Sequence, residues 1–226
     1  MIATVDIADL GTTGTVRAIR GRPRAGRVPG LQWADVAVAA VLGANRPPTL
    51  RRAALLAFWD DEDAAVRFET GHPAAAPFEG GLHLRLRPLR SFGSWPGLPE
   101  DLPHTRAVPH DGAVVVLTLG RLRLSQTIRF IRASRPAERA AVASDGLIWG
   151  TAAARPPFVA TVSVWASSRD AAAFAYGQQR PAHADAISQQ ERKDFHRQSA
   201  FVRFSPVHIA GSLTGDNGAD LSAVIA

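Results

Sequence analysis

The amino-acid sequence predicts an α+β fold: two fused ferredoxin-like (βαββαβ) repeats forming a pseudo-dimeric α+β barrel. Three observations predict it. The chain is written twice, each copy carries the same order of strand-like and helix-like segments, and most strands alternate apolar with polar residues, so that one sheet face must be covered.

The duplication is visible in four ordered matches. TVRAIR at Thr15 to Arg20 returns as TIRFIR at Thr127 to Arg132, and GLQW ending at Trp33 returns as GLIW ending at Trp149. LLAFWDDEDAAVRFETG returns as TVSVWASSRDAAAFAYG, which aligns Trp59 with Trp165, Phe68 with Phe174 and Gly71 with Gly177. LRLRPLRSFGS returns as VRFSPVHIAGS, aligning Arg85 with Arg203, Pro88 with Pro206 and Gly93 with Gly211.

In the first copy, IATVDIAD alternates and reads as a strand. A helix follows around Val16 to Arg22, then strands from Leu31 to about Val41 and from Ala53 to Trp59. The acidic DDED opens a second helix, where negative charge meets the positive end of the helix dipole. That helix ends at Gly71, and a last strand runs from Leu82 to about Leu89. In the second copy the strands are AVVVLTLG, GLIWGTAAA, FVATVSVW and FVRFSPVHI, and the helices begin near Ser125 and Ser168, with Ser168 as an N-cap. Residues 1–95 form the first repeat and 96–110, PGLPEDLPHTRAVPH, a Pro-rich linker. Residues 111–213 form the second repeat, and 214–226 a C-terminal tail.

Composition narrows the function classes. The absence of cysteine excludes disulfides, iron–sulfur clusters, thiolate haem ligation and Cys-based zinc sites. Met1 is the sole methionine, so His/Met ligation is out as well. The net charge is +6, yet its densest run, Arg17 to Arg27, carries no aromatic residue and reads as a solvated face, not a nucleic-acid surface. No apolar run reaches the length of a membrane span, and the N-terminus has no basic region ahead of an apolar one. The expectation is a cytoplasmic protein.

The copies differ at one place. The offset between them is 106 at Gly71 and Gly177 but 118 at Arg85 and Arg203, so the second copy holds twelve extra residues between helix and last strand. They lie in QQRPAHADAISQQERKDFHRQSAF, where Pro181 suits a first helical turn and His183 follows within it. By spacing alone His183 is a surface helix residue or a partner of Asp185, and no second histidine sits at ligand spacing on that helix, so a three-ligand zinc or non-haem iron site lacks support. Haem needs only one protein ligand, which makes a lone helical histidine chemically sufficient.

The second copy, TIRFIRASRPAERAAV through FVATVSVWASSRDAAAFAYGQQRPAHADAI to KDFHRQSAFVRF, resembles the spheroidene monooxygenase-like family. The first-copy segment VPGLQW…RRAALLAFWDDEDAAVRF fits the same pattern. The resemblance implies a dimeric α+β barrel that uses haem to oxygenate a methylene beside a polyene to a ketone. It implies His183 as the iron ligand of haem b, and a small-molecule substrate of secondary metabolism. It also implies an electron donor or a peroxide, since histidine ligation lacks the thiolate push of P450-type enzymes. A homodimer is compatible with it.

Around such a haem, the second copy offers Trp165, Phe174 and Phe195 as aromatic edges, each of which is equally readable as plain core. Arg129, Arg132 and Arg180 are cations for the propionates. Arg129 and Tyr176, the only tyrosine, are the candidate catalytic groups, Tyr176 as a distal acid. Three alternatives stay open: iron acting as a Lewis acid on an N–O or other nitrogenous metabolite, a haem-free barrel that binds a hydrophobic ligand, and a cofactor-free oxygenase.

Overall fold

A four-stranded sheet standing alone leaves two edges unpaired, and each copy supplies the neighbours the other lacks. In the computed structural model, which describes residues 1–43, 49–99, 101–104, 110–176, 195–213 and 221–224, the elements are β1 (Ile2–Asp9), α1 (Gly11–Arg20), β2 (Leu31–Val41), β3 (Arg52–Trp59), α2 (Glu62–Gly71), β4 (Leu82–Gly93), β5 (Val114–Leu122), α3 (Thr127–Val142), β6 (Leu147–Arg155), β7 (Phe158–Trp165), α4 (Ser168–Tyr176) and β8 (His196–Ala210). The strands close in the order β1-β3-β2-β6-β7-β5-β8-β4, and β4 pairs β1. Each half therefore keeps the split βαβ order of the predicted repeat, and the halves join at two antiparallel seams, β2 with β6 and β4 with β8.

Alternation sends every second side chain into the barrel. Val5, Ile7, Leu56, Phe58, Leu84 and Leu86 of the first half meet Val115, Leu117, Leu119, Val162, Val202 and Phe204 of the second in one buried core. Burial of that much apolar area is the main driving force for closure. Trp33, Trp95 and Phe158 pack ring against ring at centroid separations of 5.6–5.9 Å within the same core. The interior is filled by protein; the outer faces, under the helices, are where the halves differ.

The local signals held in part. Asp61 caps α2, its carboxylate accepting the amide of Ala64 at 2.8 Å, as the acidic opening predicts. In α4 the capping hydroxyl is that of Ser167, which accepts the amide of Asp170 at 3.1 Å; the expected cap, Ser168, is the first residue of the helix itself. α3 extends to Val142 through Pro136, longer than its counterpart α1, and β8 begins at His196, ahead of the predicted FVRFSPVHI. A long neighbour explains the second extension: the added residues of β8 pair with the end of β5 through a bulge at Arg121/Leu122.

Candidate functional site

In the first half the layer between sheet and helices is closed. Ile2, Ala8, Val36, Ala53, Leu55, Ala57 and Trp59 on the outer sheet face are all buried against Ala64, Ala65, Phe68 and Phe78. Several polar groups in this layer are paired, although Arg85 Nε is buried without a hydrogen-bond partner. Trp59 Nε1 donates to Thr4 Oγ1 at 3.0 Å. His83 Nδ1 lies 2.8 Å from Asp6 Oδ1. Arg85 clamps the sheet to α2, with Nη1 donating to Glu62 at 3.1 Å and Nη2 to Glu69 at 2.6 Å.

The second half has the same backbone with the clamp removed. Register aligns Thr4 with Val116, Asp6 with Thr118, Arg85 with Arg203 and His83 with Phe201. The repeat offset aligns Glu62 with Ser168 and Glu69 with Ala175. The His83–Asp6 pair is thus replaced by the neutral Phe201 and Thr118, and Arg203 has kept its charge without the counterparts of its two glutamates. The tryptophan–phenylalanine contact survives: Trp165 packs on Phe174 at 5.1 Å, as Trp59 packs on Phe68 at 4.9 Å, and Trp165 Nε1 donates to Ser163 Oγ at 2.8 Å. Beyond that contact the layer is thinly filled. Among the described residues its buried apolar cluster is Val114, Trp165 and Ala171, with Ser163 and Gly120 buried on the same face, whereas Val116, Thr118, Val159, Thr161 and Ala152 are only half-buried. Phe201 and Phe92 beside them are 44% and 65% exposed.

The outer residues form cross-strand rows. Arg90, Arg203, Val116, Ser163 and Gly150 make one; Phe92, Phe201, Thr118, Thr161 and Ala152 make the next. The side chains at the centre of the second row, Thr118, Thr161 and Ala152, are small.

The sequence-predicted residues fall around this face in two groups. Trp165, Phe174 and Tyr176 lie along α4 and β7, and Tyr176 is 70% exposed. At the other side Phe195 is buried against Phe130 at 6.1 Å, and the guanidinium of Arg129 stands 5.3 Å over its ring. Arg129 and Arg132 are exposed on α3. His183 and Arg180 lie outside the described residues.

Two features were missed. His196 packs edge-on against Phe130 at 5.1 Å, its Nδ1 is buried without a hydrogen-bond partner, and burial pushes its pKa down, so the imidazole is neutral. A bulge turns it to the outer face, and no periodicity in the sequence announces a bulge. The second is the pair Arg90 and Arg203, cross-strand neighbours on β4 and β8. Half of this signal was in the repeat, which shows Glu62 and Glu69 replaced; the approach of Arg90 needed the seam.

Among the described residues the face suits haem in three respects: a half-buried apolar platform, a neutral imidazole with an orphaned nitrogen, and two cations, Arg90 and Arg203, with no carboxylate paired to them. Among the described residues no group of three His, Asp or Glu gathers at metal-binding distance.

No protein-family model matches the chain. The chain is 30% identical over 207 residues to spheroidene monooxygenase of Rubrivivax gelatinosus, covering 86% of this chain and 78% of that protein. Among solved structures it is similar to an aldoxime dehydratase in complex with butyraldoxime (11% identity, 91% of this chain and 79% of that one, TM-score 0.49). It is also similar to an anthrone oxidase-like protein (13% identity, 97% and 95%, TM-score 0.38) and to a haem-degrading enzyme of Listeria monocytogenes (16% identity, 88% and 98%, TM-score 0.32).

Proposed function

The chain belongs to the spheroidene monooxygenase family, and from that premise we propose that it is a haem-dependent, monooxygenase-like enzyme acting on a hydrophobic secondary metabolite. Ketone-forming oxygenation of a carotenoid-type polyene is the reaction its kinship favours. The observation that carries the reading is the unequal filling, among the described residues, of two otherwise equivalent layers: the first is locked by Arg85, Glu62 and Glu69, and the second has lost both carboxylates and is only partly buried.

Bound haem would supply oxygen activation, with electrons from a separate donor or from peroxide. The chain's own residues do the rest. His183 is the proposed iron ligand, through a neutral imidazole nitrogen. Thr118, Thr161 and Ala152 provide a face without bulk, and Phe201 and Phe92 extend it with apolar surface that keeps water from a hydrophobic substrate. Arg129 and Tyr176, on the two helices that border the layer, are the proposed groups facing the substrate, with Tyr176 able to hand on a proton. Arg132 and Arg180 are proposed as cations for the cofactor's carboxylates.

The test is a haem titration of the wild type against His183→Ala. The expected result is a saturable Soret band in the wild type, and a displaced band with at least tenfold weaker binding in the variant. A wild type that stays spectrally flat in excess haem overturns haem dependence. A His183→Ala protein with unchanged band and affinity removes His183 from the iron, and His196→Ala then shows whether the buried imidazole takes its place.

A further inference from the structure

An arginine that survives duplication while both of its glutamate partners are lost has been freed for another anion. Arg85 shows what this position does when it is structural: it is held at 3.1 Å and 2.6 Å by Glu62 and Glu69. At the second copy's equivalent, Ser168 and Ala175 replace them, and among the described residues no carboxylate pairs with Arg203. The seam adds charge of the same sign, because Arg90 is the cross-strand partner of Arg203, where Arg85 faces His208 instead. Two guanidinium groups side by side repel, and the arrangement costs stability unless an anion bridges them. Burial, and secondarily the field of Arg90, lower the pKa of Arg203, with Tyr176 acting in the opposite direction. Two donors here are also orphaned, since Arg90 Nε and Ser168 Oγ are buried without a hydrogen-bond partner. Two residue pairs further along the same strands, on the same face, Phe92 and Phe201 lie with ring centroids 6.5 Å apart and both are exposed.

We propose that Arg90, Arg203 and Ser168 form a carboxylate-binding site whose ligand lays an apolar body over Phe201 and Phe92. The guanidinium forks donate to the two carboxylate oxygens and the serine hydroxyl donates a further hydrogen bond. The carboxylate has two sources, a haem propionate, which rests on the proposed function above, or a free apolar carboxylic acid, which does not.

The test compares wild type, Arg203→Met, Arg90→Met and Ala175→Glu, with thermal denaturation confirming that each folds. Ala175→Glu keeps both arginines and restores an internal carboxylate at the place Glu69 occupies in the first half. The probes are haem, haem dimethyl ester and 1-naphthoate. If the site holds a propionate, the wild type binds haem at least tenfold more tightly than the ester, and all three variants lose that margin without weakening the ester. If it holds a free acid, haem and ester bind alike, while 1-naphthoate binds the wild type and is lost at least tenfold in all three variants. If neither carboxylate probe distinguishes wild type from variants, the site is overturned even where haem binds; a chain that takes naphthoate but no haem keeps the site and loses the haem reading.

Discussion

Arg155, in the second half, closes a two-pronged ion pair on Asp35 of the first half, 120 residues away: Nε donates to Oδ1 at 2.9 Å and Nη2 to Oδ2 at 2.5 Å. The pair sits where β2 meets β6, one of the two seams that turn two sheets into a barrel. Asp35 is buried, and Arg22 approaches it at 3.7 Å from the first half alone. Arg155→Met leaves a buried carboxylate with one distant cation. The expected cost is about 2–3 kcal/mol, below the roughly 3–5 kcal/mol of a fully buried pair because the Arg155 side chain is 26% exposed. Urea unfolding measures it; a change under about 0.5 kcal/mol would show that the seam is held by apolar packing alone.

Stability should fall as pH rises through neutrality, and His83 should be the cause. The hydrogen bond to Asp6 raises the His83 pKa from 6.5, with Glu69 adding to the effect. A raised base contributes stability that is complete below its unfolded pKa and lost as pH rises through the folded value. The urea midpoint should therefore decline from about pH 6 to pH 8, and His83→Gln should flatten that decline. His196 has the opposite sign. Burial lowers its pKa, so its contribution is present at neutral pH and lost on the acid side; His196→Gln should hold its midpoint better below about pH 6.

The two helix–sheet layers should answer differently to the same truncation. Phe68 is buried and Phe174 is half-buried, although they are repeat equivalents. Phe68→Ala is expected to cost about 3–4 kcal/mol and Phe174→Ala about 1–2 kcal/mol. Equal losses would contradict an open second layer. Addition of haem should stabilise wild type and leave Phe68→Ala with the same increment.

Gly120 carries the imidazole of His196 directly above it. A Cβ there would lie 2.6 Å from Cδ2 and 2.7 Å from Nε2 of His196, and 3.1 Å from Val159 Cγ2. Gly120→Val should displace the ring from the sheet face at a cost of about 1–3 kcal/mol. The His196 proton resonances in NMR should move with it; a variant with both stability and resonances unchanged would mean that the ring has room to turn.

Much of this protein was readable before any coordinates. The strand bounds of β2 and β7 match the periodicity to the residue, because a strand buried on one or both faces writes its own alternation. The Ser167 cap was missed by one position because adjacent serines are chemically alike, and only backbone direction selects between them. The start of β8 was missed because its first residues are strand by virtue of pairing with the end of β5, not by their own pattern.

The sequence by itself determined that the chain is a duplicated βαββαβ unit, since repeated side chains at fixed offsets are local information. Its lost glutamates, Glu62 against Ser168 and Glu69 against Ala175, were equally plain once the copies were aligned. Only the tertiary structure decided that Arg90 stands beside Arg203, that His196 faces the helices, and that among the described residues one layer is fully buried while the other is only partly so. Each of these depends on which edge of one sheet meets which edge of the other, and seam pairing joins residues too far apart in the chain for local spacing to encode.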